Sequence, residues 1–151
     1  MISVDDIKKL RDETGAGVME AKKALEEAKD YQGAKEVLLK AAAKKAEKKA
    51  DRIAADGLVY SYIHTTGKIG SLVEINCETD FVAKTDDFKK LCQEVAMQVC
   101  AVGADSVEDL LNQEYIRDNS RKIADLVTET IAKLGENVKI ARVTRYTVGG
   151  E

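Results

Sequence analysis

The sequence predicts an α+β fold: an N-terminal three-helix bundle, a helical linker, then a ββααβ core with a three-stranded antiparallel sheet. Three observations carry this. Apolar residues recur at helical spacing through the first 43 residues; the stretch from Lys40 to Arg52 is rich in alanine and lysine; and beyond Gly57 two β-rich runs replace the helical period. The expected divisions are residues 1–43 for the bundle, 44–56 for the linker and 57–151 for the core. A chain of 151 residues has room for a small module and a medium one, since domains usually run to about 100–150 residues.

The first helix rests on Val4, Ile7 and Leu10, three apart. Ser3 is placed to cap it, with Asp5 and Asp6 in the first turn, where acids complement the helix dipole. It should stop at Thr14-Gly15-Ala16-Gly17, because glycine weakens a helix and permits a left-handed turn. A second helix follows with Val18, Ala21, Leu25 and Ala28 on one face, and after Asp30 a third with Ala34, Val37, Leu38, Ala41 and Ala42 at i, i+3, i+4, i+7 and i+8. KAAAKKAEKKADR favours helix but offers little apolar bulk, so it reads as a solvated helical extension or linker.

In the core, Leu58 to His64 and Ile69 to Asn76 read as strands joined through Thr65-Thr66-Gly67-Lys68. Thr85 is placed to cap a helix whose apolar face, Phe88, Leu91, Cys92, Val95, Ala96, Val99 and Val102, is wide enough to cover a sheet. Residues 103–118 show no dominant period, with Ser106 a candidate cap for a short helical turn. Ile123, Leu126, Val127, Thr130, Ile131 and Leu134 define another helix with Gly135 as its C-terminal glycine. Val138 to Thr147 forms the last strand, and adjacent Ile140 and Ala141 suit a bulge or two-sided burial.

Composition narrows function. Hydrophobic residues make up 44% and charged residues 34%, which predicts a folded protein with a heavily solvated surface. The sequence has no Trp and two Phe, leaving little for base-stacking platforms, and its net charge of −3 argues against a phosphate-tracking surface. Direct nucleic-acid binding is not expected. The opening MISVDDIKKL has no apolar signal-like stretch and no apolar run nears the ~20 residues of a membrane span, so a cytoplasmic protein without membrane contact is expected. Cys77, Cys92 and Cys100 have no CxxC spacing and read as reduced structural thiols. His64 lacks the partners of a triad or metal site. No nucleophile–base pair or ligand set stands out, so neither an enzyme nor a cofactor is expected.

Two stretches, LRDETGAGVMEAKKAL from Leu10 to Leu25 and NCETDFVAK from Asn76 to Lys84, resemble the elongation factor Ts family. Their order and separation fit as well. The lysine-rich connector from Ala42 to Gly57 and Gly135-Glu136-Asn137-Val138 before the last strand are similar to the family's too, so the likeness covers nearly the whole chain. It departs at Val18, where the family commonly has methionine, and at Ala21, where cysteine or valine is frequent. Longer members carry two related core subdomains, often with a coiled-coil insertion, whereas here one ββααβ unit is present.

The resemblance implies a UBA-like bundle and a guanine-nucleotide exchange factor that binds elongation factor Tu and promotes loss of GDP and Mg²⁺ without bond chemistry. Asp80 and Phe81 would form the exchange wedge, the ring pushed between two helices of the partner's nucleotide domain. Composition alone would place a Phe in the core; the flanking residues argue for the wedge. Arg11, Val18, Met19 and Lys22 become candidates for N-terminal docking, although Val18 packing internally and Arg11 standing merely solvated remain open. With one core unit, the partner surface would come from a second copy, so a homodimer pairing through its sheets is expected. Two rivals stand beside this: a helical adaptor for peptides or ubiquitin-like domains, which gives Asp80 and Phe81 no purpose, and an RNA binder using the lysine-rich linker.

Overall fold

The helical periods at the N-terminus become α1 (Val4–Thr14), α2 (Val18–Glu27) and α3 (Tyr31–Lys49) in a computed structural model that describes residues 2–150. Ser3 caps α1, its hydroxyl accepting the Asp6 N–H at 3.0 Å, and Asp30 caps α3 by accepting the Gly33 N–H at 2.7 Å. Leu10, Ala21, Ala24, Ala34 and Leu38 form the bundle's own core. Three alanines among five core residues bring the helices close together, which keeps the buried stripe narrow. Val4, Val18 and Val37, all at apolar-face spacing, therefore lie exposed.

Gly15 ends α1 with φ +76°, and a Cβ there would stand 2.6 Å from the backbone oxygen of Glu129. Glycine is thus required twice, for the left-handed turn and for the approach to the core. The third helix runs on through the lysine-rich stretch to Lys49, the helical extension its composition favours. Its small Ala42 is buried and Ala46 packs against the larger core cluster, so the alanines of the lysine-rich stretch serve close helix packing. Lys45 pairs back to Glu20 at 2.7 Å.

The core runs β1 (Asp56–Ile63), β2 (Ile69–Cys77), α4 (Asp80–Ala83), α5 (Asp86–Val102), α6 (Val107–Asn112), β3 (Glu114–Tyr115), β4 (Asp118–Lys122), α7 (Ile123–Leu134) and β5 (Lys139–Thr147). The main sheet has the order β1-β2-β5 and is antiparallel throughout. Gly67 takes φ +70° in the hairpin turn, where His64 Nδ1 accepts the Thr66 N–H at 3.2 Å. Register shifts between Glu74↔Arg142 and Ile75↔Ile140, leaving Ala141 unmatched as a bulge. Ser71, Val73, Ile75 and Cys77 point inward, and α5 covers them with Phe88, Leu91, Cys92, Val95, Ala96 and Val99. Each large apolar side chain among these stabilises by about 1.5–3 kcal/mol if fully buried.

Three small elements add to the expected ββααβ order: the single-turn α4, the short α6 and the hairpin β3–β4. The hairpin escapes pattern reading because β4 is DNSRK, entirely polar. Side chains of α5 organise it instead. Gln98 donates to the Glu114 carbonyl and accepts the Ile116 N–H, both at 3.0 Å, while Glu94 takes the Tyr115 hydroxyl and, at 2.7 Å, Arg117. Among the described residues no helix is long and apolar enough to cross a membrane.

Helix α7 meets both halves. Its Ile123, Leu126, Val127 and Ile131 join the main core, and its other side receives α1 and α3. At that junction a cavity of about 140 Å³ is lined by residues including Asp12, Asp87, Lys90, Arg121, Glu129 and Lys133. Buried Glu129 pairs with Arg121. Burial pushes its carboxyl up to about 7 against the opposing pull of Arg121 and Lys133, with Asp125 adding to the rise. An unperturbed glutamate titrates near 4.5. The folded protein therefore holds this proton more tightly than the unfolded chain, so the contribution is complete below about 4.5 and lost as pH rises through about 7. Urea titrations should show wild-type stability falling across that window and Glu129→Gln following a flatter course, the slopes differing by at most about 1.4 kcal/mol per pH unit. Identical slopes would mean that Arg121 keeps Glu129 ionised throughout.

Candidate functional site

The most exposed aromatic ring near a rigid part of the core is Phe81, at 82% exposure. It is the second residue of α4, a four-residue helix too short to persist alone, since helix nucleation is unfavourable. Its neighbours Val82 and Ala83 are buried and anchor the opposite side. Thr79 caps the turn by accepting the Val82 N–H at 3.3 Å, and Asp80 pairs with Lys84 at 2.9 Å. The result is an apolar ring and a carboxylate held outward between the end of β2 and the start of α5.

The base of this turn is tied to two distant segments. Glu136, just past α7, accepts the Glu78 and Thr79 N–H groups, both at 3.1 Å, and the Thr79 hydroxyl at 2.8 Å. Glu78 in turn accepts the Asn137 N–H at 2.6 Å and pairs with Arg52 at 3.6 Å. Buried Asn137 donates its side-chain amide to the Arg52 carbonyl at 2.8 Å. Glu136 and Asn137 were visible in the sequence only as a stretch resembling the family's. Nothing in their local pattern signals a bond across 57 positions.

The second group of predicted residues lies on the bundle. Arg11 is exposed near the end of α1 beside Gly15 and Gly17, and Met19 and Lys22 flank a shallow groove on α2. Met19 is 76% and Val18 48% exposed, so Val18 does not pack internally. The structure thus presents two separate exposed groups, Asp80 and Phe81 on the core and Arg11, Val18, Met19 and Lys22 on the bundle. Among the described residues no group of three or more His, Cys, Asp or Glu side chains is arranged to hold a metal.

Comparison with known proteins identifies the family of the chain. The sequence profile of the family described as Elongation factor TS matches residues 78–151. Elongation factor Ts of Coprothermobacter proteolyticus is 42% identical, the match covering 98% of this chain and 98% of that protein. The chain belongs to the elongation factor Ts family. Its translation-factor role follows at that level. The Thermotoga neapolitana elongation factor Ts is 41% identical over 99% of this chain and 98% of its own length. Both alignments extend over 194 positions, more than the chain's 151 residues, so these relatives carry residues that this family member lacks. The Clostridium acetobutylicum elongation factor Ts is 44% identical over 97% of this chain but only 48% of its own length.

In this member of the elongation factor Ts family the cysteine beside the exposed turn is chemically quiet. Cys77 is buried, and its thiol donates to the Thr79 carbonyl at 3.2 Å. Burial, reinforced by the nearby Glu136 charge, pushes its thiol up to about 11, and burial pushes Cys92 to about 12. Thiolate is the reactive form. At pH 8 a disulfide-exchange reagent should therefore leave buried Cys77 and Cys92 unmodified in the native protein over a period in which the urea-unfolded chain reacts fully. Rapid modification of Cys77 would reveal opening at the base of the Phe81 turn.

Proposed function

We propose that this protein acts in the cytoplasm as a guanine-nucleotide exchange factor for elongation factor Tu, working by protein binding without bond chemistry. The observation that carries this is Phe81, a large apolar ring held 82% exposed on a buried, capped turn beside Asp80. A monomer gains nothing from exposing such a ring, and exposed apolar groups on rigid supports mark contact sites. Labour divides between the bundle (1–43), which docks on the nucleotide domain through Arg11, Val18, Met19 and Lys22, the linker (44–56), and the core (57–151), which delivers Asp80 and Phe81. The wedge distorts the helices that support the phosphate and Mg²⁺ site, GDP leaves, and GTP binding displaces the factor.

Magnitudes limit what the ring does alone. Burying a Phe is worth about 1.5–3 kcal/mol, and about 1.4 kcal/mol is tenfold in an equilibrium constant. The remainder comes from interfaces that favour the nucleotide-free partner, because an effector shifts an equilibrium only by its differential affinity. Release of a fluorescent GDP analogue from elongation factor Tu should be strongly accelerated by this protein and fall about ten- to hundredfold with Phe81→Ala. Acceleration unchanged in the variant would remove the wedge; no acceleration by the wild type would remove exchange altogether.

The core is further proposed to form a homodimer. On the outer face of its sheet Val59, Ile63, Leu72, Tyr146 and Val148 are exposed, next to the Glu74–Arg142 ion pair at 2.8 Å. An apolar row flanked by both signs of charge is self-complementary, as a two-fold interface requires. Light scattering at micromolar concentration should give a dimer mass for the wild type and a monomer mass for Leu72→Glu. A monomeric wild type would overturn the pairing and leave exchange untouched.

A further inference from the structure

We propose that Glu136 is a positioning residue for the Asp80-Phe81 wedge, an inference that rests on the exchange function proposed above. Gly135 ends α7 in the left-handed conformation, φ +73°, and the chain turns so that the next side chain faces the end of β2. One carboxylate oxygen of Glu136 takes the N–H groups of both Glu78 and Thr79 at 3.1 Å; the other takes the Thr79 hydroxyl at 2.8 Å. That hydroxyl is the cap of α4, accepting the Val82 N–H at 3.3 Å. A charged acceptor forms stronger hydrogen bonds than a neutral one. Glu136 therefore fixes the residue from which the single turn bearing Phe81 starts.

The need for such a clamp arises from the size of α4. Four residues supply too few internal hydrogen bonds to set their own direction. The ring has no packing of its own at 82% exposure, so its aim depends on Val82 and Ala83 beneath and on Thr79 at the start. Thr79 is held at every polar atom: its N–H and hydroxyl by Glu136, its carbonyl by the Cys77 thiol at 3.2 Å and the Ala83 N–H at 3.2 Å. Glu78 accepts the Asn137 N–H at 2.6 Å, and Asn137 reaches the Arg52 carbonyl at 2.8 Å. The same cluster thus connects the wedge to the segment after α3. A ring aimed before contact loses less freedom on binding.

The groups that Glu136 holds lie at a half-exposed edge, where water can replace the carboxylate, so Glu136→Ala retains the fold while loosening the turn. The test measures GDP-analogue release from elongation factor Tu against factor concentration, for wild type, Glu136→Ala, Glu136→Gln, Phe81→Ala and Glu136→Ala/Phe81→Ala. Glu136→Ala should lower the maximal rate about tenfold, equivalent to about 1.4 kcal/mol, with the half-saturating concentration nearly unchanged because the bundle surface is untouched. Glu136→Gln, whose amide oxygen still accepts both N–H groups, should recover most of the rate. In the Phe81→Ala background the loss of Glu136 should have no further effect, since a residue acting through the ring is not additive with it. A wild-type rate in Glu136→Ala, or a full tenfold loss on top of Phe81→Ala, would overturn the positioning role. If Glu136→Ala does not fold, Thr79→Ala carries the same non-additivity test. An inactive wild type fails the exchange function itself; an active wild type with a damaging Phe81→Ala and a harmless Glu136→Ala fails only the clamp.

Discussion

Helix α7 is buried on two sides, contributing Ile123, Leu126, Val127 and Ile131 to the core under the sheet while α1 and α3 pack on its other surface. Without it the bundle would retain a core of five residues, three of them alanines. Ile7, Leu25 and Tyr31 pack around it only partly buried, so the contact with α7 adds to a small core. The contact is close because Gly15 lets the end of α1 approach the Glu129 carbonyl. The same helix ends at Gly135, directly before the carboxylate that ties down the Phe81 turn. One element therefore positions both exposed groups, the bundle by its packed surface and the turn by the glutamate that its terminal glycine swings toward β2.

Polar side chains do more to shape this core than its apolar composition suggests. Glu94 and Gln98 of α5 are buried, yet each is engaged by the β3–β4 hairpin, which buries Tyr115 but whose second strand is entirely polar. Ser71, inward on β2, returns its hydroxyl to the Ala96 carbonyl at 2.6 Å. Such bonds give modest net stability, but leaving any one partner unmet in the interior costs about 1–3 kcal/mol. They select register and orientation where apolar contacts alone would accept several.

Most regular elements were legible in the sequence because their periods are strong and their caps local. Ser3, Thr85 and Ser106 cap helices, Gly15 and Gly135 end them, and Ala141 bulges beside Ile140. The features that pattern reading missed were set by tertiary contact. The β3–β4 hairpin is specified from α5, Val18 and Val37 are exposed because the bundle's seam is narrow, and the helical extension to Lys49, legible from its composition, is less solvated than expected because Ala42 is buried and Ala46 packs toward the larger core. Exposure of Phe81 was legible only through the flanking residues that resemble the family's, since a Phe without that context belongs in a core.

The arrangement at residues 76–84 brings together demands that ordinarily conflict. A ring proposed to enter another protein must be exposed, yet a side chain without packing is free to wander and loses that freedom on binding. Burying Val82 and Ala83 fixes one face of the turn, but two small anchors leave rotation about their axis. The bonds from Glu136 act at the other end, on the backbone of Glu78 and Thr79, where they oppose rotation without covering the ring. Buried, protonated Cys77 completes the hold on Thr79. Rigidity is thereby placed in the backbone and cap, which fixes where the side chain starts while leaving the ring exposed.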